Sequence, residues 1–431
     1  MTIHRLFLLL LFFIIHLSTF SVAQEIDNAI TSELSNKVLS RAEMQVDLDK
    51  LKKQVMYVHP GLEVYESSRQ VPALFDSLSR QLPEQLSSID FLLSLAPIVD
   101  AIKCGHTGFN LPTHRAFFGY IQKDLEGLFP LQLELVHGQV FIKHNLSEDT
   151  THIRDKMQLL SVNGEAIDDV LLHLSNINIA SDGDNRLGEI HFSVKYFMLA
   201  YHMFYGARKT FTVELRNILT GEEGQHQIAA GRLKAMRSIR KKRYPPAGKA
   251  PIQMRRIEGM PQAAVLDINT FSNTKLDFWE LRYRQDIKKI FKIIEDEDIQ
   301  YLIVDLRDNY GGAVINVVRL LKYFYDAPFA LTDEISINKN FFKSNARIPL
   351  KILMGLKRKR EEHNRYILKG KSGKYFRPRK RHRYRGKVIV LINEGSFSAA
   401  CTLAGHTKST GRAILLGEEA GGSYHMASAG F

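Results

Sequence analysis

From about Ile252 onward the chain repeats one alternation, a short continuously apolar run followed by a run with helical spacing. Ala263–Ile268, Tyr301–Asp305, Val388–Ile392 and Ala413–Leu416 are the apolar runs, and Leu276–Ile294, Val314–Phe324 and Ala399–Lys408 are the helical ones. Strands that are apolar on both faces must be covered on both faces. The pattern therefore predicts an α/β domain over 252–431, with a sheet covered by helices on both faces.

The preceding chain divides by its patterning. Over 24–112 it reads as helical: Leu48, Leu51, Val55 and Val58 keep helical spacing until His59-Pro60-Gly61, and two more runs cover Val71–Leu82 and Ser88–Ile102, the latter opening on Ser87 as cap material. Over 117–230 it becomes β-rich. Leu131, Leu133 and Leu135 alternate with Gln132 and Glu134, Val140–Ile142 and Phe211–Leu215 add strands, and Leu159–Val162 closes on an Asn163-Gly164 turn before a helical run at Ile167–Leu174. Ahead of both, Leu6–Leu17 is too short an apolar run to span a bilayer and leads to Ser21-Val22-Ala23. Residues 1–23 read as a cleaved signal peptide, with an uncleaved anchor as the other reading. The expected location is periplasmic, cell-envelope or secreted.

Composition narrows the class. With 45% hydrophobic and 24% charged residues, the chain is neither a disordered polymer, a collagen-like repeat nor a polytopic membrane protein. Cys104 and Cys401 are too few for a disulfide scaffold or a four-thiolate zinc site. They read as separate buried thiols unless their Cα atoms come within about 7 Å. No metal or organic cofactor is expected. The net charge of +13 gathers in Arg232–Arg243 and Lys357–Lys387, the second within a basic insertion at 340–387. Both read as solvated segments attracted to an anionic envelope surface rather than to nucleic acid.

Three short stretches can carry chemistry. Asp305-Leu306-Arg307-Asp308-Asn309-Tyr310-Gly311-Gly312 ends the most apolar strand, where paired glycines let backbone N–H groups approach a ligand. Asn393–Cys401 is a second strand-to-helix turn, with Ser396 and Ser398 placed as a nucleophile or a helix cap; spacing does not choose between them. Cys104-Gly105-His106-Thr107-Gly108 sets a histidine in a tight turn that presents its side chain.

Together, Asp305–Gly312, Val388–Asn393 with Ser396–Ala400, and Leu415–Gly422 resemble, in order, the core of the S41 serine peptidases, the C-terminal processing and tricorn-like proteases. The middle module resembles the degenerate PDZ-like domain of such proteins. The resemblance implies an exported serine endopeptidase with a ClpP/crotonase-like core and a peptide or protein substrate. It implies Ser398 as nucleophile, Ser396 as cap, and the backbone of Gly311, Gly312 and Ala399 as oxyanion hole. The lysine of the processing branch falls on Ser423, so the likeness is closer to the tricorn-like branch, whose histidine base matches His106. That branch orients its histidine with an acid beyond the nucleophile, for which Glu418 and Glu419 are the local candidates. The chain stops at Phe431, 33 residues after Ser398, and reads as C-terminally truncated. The alternatives are a catalytically degenerate peptide-binding envelope protein of the same fold, or a surface protein acting through its basic segments.

Overall fold

The structure, a computed structural model, describes residues 37–424 except 60, 61, 63, 64, 108–124, 176–180, 246–249, 273–279, 344–351, 353, 357, 363, 364 and 369–372. The candidate leader, Pro60 and Gly108 lie outside the described residues.

Strand β1 (Val38–Ser40) pairs antiparallel with β2 (Gln85–Ser87) and brackets α1 (Arg41–Val58) and α2 (Val71–Gln81). Ser40 and Glu43 start α1 with a capping box, each accepting the other's backbone N–H. The single run expected over Ser88–Ile102 is two helices, α3 (Ser88–Ser94), capped by Ser87, and α4 (Ala96–Ile102). Pro97 explains the break, because it has no N–H to carry the ladder through. Ile98, Ala101 and Ile102 of α4 share a core with Met44, Leu48 and Phe75. At its end Lys103 adopts φ 51° and turns the chain out into Cys104-Gly105-His106.

The middle of the chain forms an antiparallel sheet in the order β3 (Leu131–Val136), β4 (Gln139–Asn145), β5 (Gln158–Val162), β7 (Thr210–Arg216), β8 (Glu223–Ala229), with β6 (Glu165–Ala166) folded back on β5. Asn163 (φ 53°) and Gly164 (φ 83°) make the turn between β5 and β6. Helix α5 (Ile167–Ser175) was legible, but α6 (Arg186–Lys195) and α7 (Phe197–Tyr205) were not. The α7 sequence is apolar on almost every side, so it carries no period to read. The basic stretch Arg232–Arg243 keeps its basic side chains exposed but is also a folded element. It forms α8 (Leu233–Arg243), which buries Leu233 and Met236, and Arg243 donates to the carbonyls of Asn145 and Ser147.

The last domain holds the sheet that the apolar runs predicted, in the order β9 (Ile252–Ile257), β10 (Met260–Ile268), β11 (Tyr301–Asp305), β17 (Lys387–Ile392), β18 (Ala413–Gly417); all neighbours are parallel except β9 with β10. Helices α9 (Glu280–Asp296), α10 (Val314–Leu321) and α11 (Ala399–Ser409) cover it, and Phe291, Val317, Leu321, Leu403, Val304 and Val390 join one core. The insertion between α10 and β17 is partly folded: β12 (Phe329–Ala330) pairs with β16 (Tyr375–Phe376), and β13 (Ser336–Asn338), β15 (Arg365–Leu368) and β14 (Arg358–Glu362) form a small sheet. Because β11 and β17 run side by side, their carboxyl ends release the Asp305–Gly312 and Asn393–Ser398 loops at the same rim, where open α/β sheets place ligands.

Candidate active site

The two rim loops lock each other. Asn309 is fully buried; its side-chain amide donates to the Ile268 carbonyl, its Oδ1 accepts the Gly311 N–H at 2.8 Å, and its own carbonyl accepts the Phe397 N–H. Asp308 donates its N–H to Asn393 Oδ1 and accepts from the Asn393 amide. Ser396 is also fully buried, donating its hydroxyl to the Leu306 carbonyl and accepting the Asn393 N–H. Ser396 therefore ties one loop to the other and does not cap α11. The capping position belongs to Ser398, whose side chain makes no cap bond. Its backbone sits at φ 55°, ψ −116°, a region that costs an L-residue about 1–3 kcal/mol and recurs where a side chain must be presented at a strand-to-helix turn.

That side chain meets the histidine. His106 Nε2 lies 3.0 Å from Ser398 Oγ, bridging 292 positions of sequence, and the imidazole packs on the Phe397 ring at 4.8 Å between centroids. The turn carrying His106 is held from several sides. Thr107 donates its N–H to the Cys104 carbonyl, Gly105 donates to Asp182 Oδ1 at 2.8 Å, and His59 Nε2 lies 2.9 Å from the Thr107 hydroxyl. Burial holds the His59 pKa at about 4, so this support is a neutral imidazole.

Burial also pushes the His106 pKa below its ordinary value, and the Asp182 carboxylate opposes this in part. His106 is consequently neutral near pH 7, with a lone pair available. Its Nδ1 is buried without a partner among the described residues.

Asp182 is the acid that the sequence did not reveal. It stands in the loop before α6, in the middle of the chain, and its second oxygen accepts the N–H and hydroxyl of Ser423. Its neighbours extend this clasp: Asp182 N–H and the Ser181 hydroxyl donate to the Gly421 carbonyl, and the Asn185 amide donates to that of Ala420. Ser181-Asp182-Gly183 reads only as a turn, and no local pattern announces which domain it faces. The expected acids are elsewhere: Glu418 lies 3.8 Å from His137 Nδ1, and neither it nor Glu419 approaches His106 among the described residues.

The glycines require a second correction. Gly311 (φ 87°) and Gly312 (φ 136°) both need glycine, since a Cβ would stand 2.7 Å from Ala399 N at the first and 2.3 Å from Ser272 N at the second. The Gly311 N–H, however, is committed to Asn309, which removes it from the expected oxyanion donors. Gly312 and Ala399 retain N–H groups with no acceptor among the described hydrogen bonds. Cys104 and Cys401 are both buried, and no disulfide joins them.

No curated sequence matches the chain significantly. Among solved structures, mature CPAF is similar at 16% identity and a TM-score of 0.60, over 88% of this chain and 84% of that one. A serine-to-alanine mutant of CPAF is similar at 15% identity and a TM-score of 0.63, over 89% and 84%. The photosystem II D1 C-terminal processing protease gives 13% identity and a TM-score of 0.40, over 88% and 82%. At these identities the likeness to CPAF is one of fold. Residues 262–429, which carry the parallel part of the sheet and both rim loops, match the profile of Peptidase family S41. That match and the shared fold support a peptidase domain of the S41 type over residues 262–429.

Proposed function

We propose that the chain is a serine endopeptidase in which Ser398 is the nucleophile and His106 the general base. The observation that carries this reading is the 3.0 Å approach of His106 Nε2 to Ser398 Oγ, on a serine whose backbone is held in a presenting conformation. Neutral His106 takes the hydroxyl proton as Ser398 Oγ adds to the peptide carbonyl. The N–H groups of Ala399 and Gly312 receive the oxyanion, where one such donor contributes about 10²–10³ in rate. The imidazolium then protonates the leaving amine, and water resolves the acyl-enzyme by the same steps in reverse. Asp182 acts as a positioning residue, fixing the turn through Gly105 while its charge offsets that of the imidazolium.

The middle module would hold an extended peptide. Its strand β3 is a sheet edge, and an apolar cleft lined by Leu131, Leu133, Val194, Met198 and Met236 opens between it, α7 and α8. Export, and attraction of the exposed basic side chains to an anionic surface, complete the reading.

A fluorophosphonate probe tests the nucleophile. Full-length protein labels at one site and Ser398→Ala does not; absence of labelling in the unaltered protein favours the degenerate peptide-binding alternative. The base has its own signature. Since the His106 pKa is lowered and the neutral form is the active one, kcat/KM measured with a metal chelator present rises with pH through a limb below 6.5 and is level above it. A limb above pH 7 would assign the proton transfer to another group.

A further inference from the structure

Cys104 Sγ, a ring nitrogen of His106 and a carboxylate oxygen of Asp182 lie within 4.8 Å of one another. Thiolate, imidazole and carboxylate are ligand types that Zn²⁺ accepts together, at about 2.0–2.3 Å each, with water able to fill a fourth tetrahedral position. Those bond lengths set neighbouring ligand atoms roughly 3.3–3.8 Å apart. A contraction of about an ångström within the Cys104–Thr107 turn would close the set.

Two observations show that these groups are not fully used by the peptidase reaction. His106 Nδ1 is buried with no acceptor or donor among the described residues. Burial pushes the Cys104 thiol up, and its Sγ accepts from the backbone N–H groups of His106 and Thr107 without a part in that reaction. Asp182 Oδ1 accepts from Gly105 alone and keeps a lone pair for a cation, while Oδ2 takes both the N–H and the hydroxyl of Ser423.

We propose that Cys104, His106 and Asp182 form a regulatory site for a thiophilic divalent ion of the Zn²⁺ type, which on binding disables the Ser398–His106 pair. The switch rests on the peptidase reading; the binding does not. On binding, the Cys104 thiol gives its proton to solvent and its sulfur to the metal. A neutral imidazole has one proton and one lone pair. A metal on Nδ1 leaves the proton on Nε2, which then donates to Ser398 Oγ and can accept nothing from it. A metal on Nε2 consumes the base's own lone pair. Either geometry stops proton removal from Ser398. Mg²⁺ and Ca²⁺, which select oxygen ligands, do not act here.

Full-length protein separates the parts. With Co²⁺ as a spectroscopic probe, a thiolate-to-cobalt band in the near ultraviolet saturates at one equivalent and is lost in Cys104→Ser. Zn²⁺ suppresses fluorophosphonate labelling, a chelator restores it, and Mg²⁺ has no effect. In Cys104→Ser, normalised to its own metal-free labelling, the Zn²⁺ midpoint rises by at least about 100-fold. Absence of the cobalt band in the unaltered protein overturns the metal site, and this needs no variant to fold. An unchanged Zn²⁺ midpoint in Cys104→Ser also overturns it. Absence of labelling in metal-free protein overturns the peptidase reading and the switch with it, whatever the cobalt spectrum shows.

Discussion

His106→Ala lowers kcat/KM for peptide cleavage by about 10⁴–10⁶-fold, and adding Ser398→Ala to it lowers the rate hardly further. In the proposed mechanism the two side chains act as one unit across a single 3.0 Å contact, so removing either would leave the other without its function. Remaining catalysis comes from the oxyanion donors and from substrate binding, which neither substitution touches. Single-turnover rates for both single variants and the double variant decide the matter. Independent effects that multiply would mean that the contact is not the proton-transfer pair. The turn itself survives the loss of the imidazole, because Asp182 and His59 hold its neighbours Gly105 and Thr107.

Gly311→Ala is expected to lower activity by about 10²-fold and stability by about 2–5 kcal/mol. The added methyl meets Ala399 N and the Phe397 carbonyl at 2.7 Å and Ser398 Cβ at 2.8 Å. All three are fixed by the loop lattice, so the nucleophile and the neighbouring N–H must move. Backbone strain at φ 87° adds its own cost. Gly259→Ala is the matched control. It has φ 75° but nothing within 4 Å of a Cβ, so it loses about 1–2 kcal/mol and no activity. Urea denaturation and kcat on the two variants separate strain from displacement. Equal activity in both would mean that the contact with Ser398 is of no consequence to catalysis.

The sheet of the last domain was legible because burial on both faces writes itself into consecutive residues such as Leu302-Ile303-Val304. Both rim loops could be read for the same reason, since each follows such a strand directly. What sequence did not show was whatever depends on a partner distant along the chain. Asp182 looks like turn material until Gly105 and Ser423 are seen around it. Ser396 looks like a cap, and only the Leu306 carbonyl reveals it as a tie between loops. The Gly311 N–H looks available until Asn309 is found buried beneath it. The charges of α8 are legible and exposed, but they outnumber and so conceal Leu233 and Met236, the two side chains that anchor it.

The clasp made by Asp182 has a temporal consequence. One carboxylate joins a turn built early in synthesis to a segment built more than three hundred codons later, with the Ser398 hydroxyl added just before the clasp can shut. Under the proposed mechanism, a ribosome-bound intermediate carrying the imidazole alone would cut nothing, and a separated carboxyl-terminal piece would have an alcohol with nothing to deprotonate it. On that mechanism, competence to cleave would belong to the assembled tertiary structure, and a nick or partial melting at either end of the clasp would silence it before the sheet unravels.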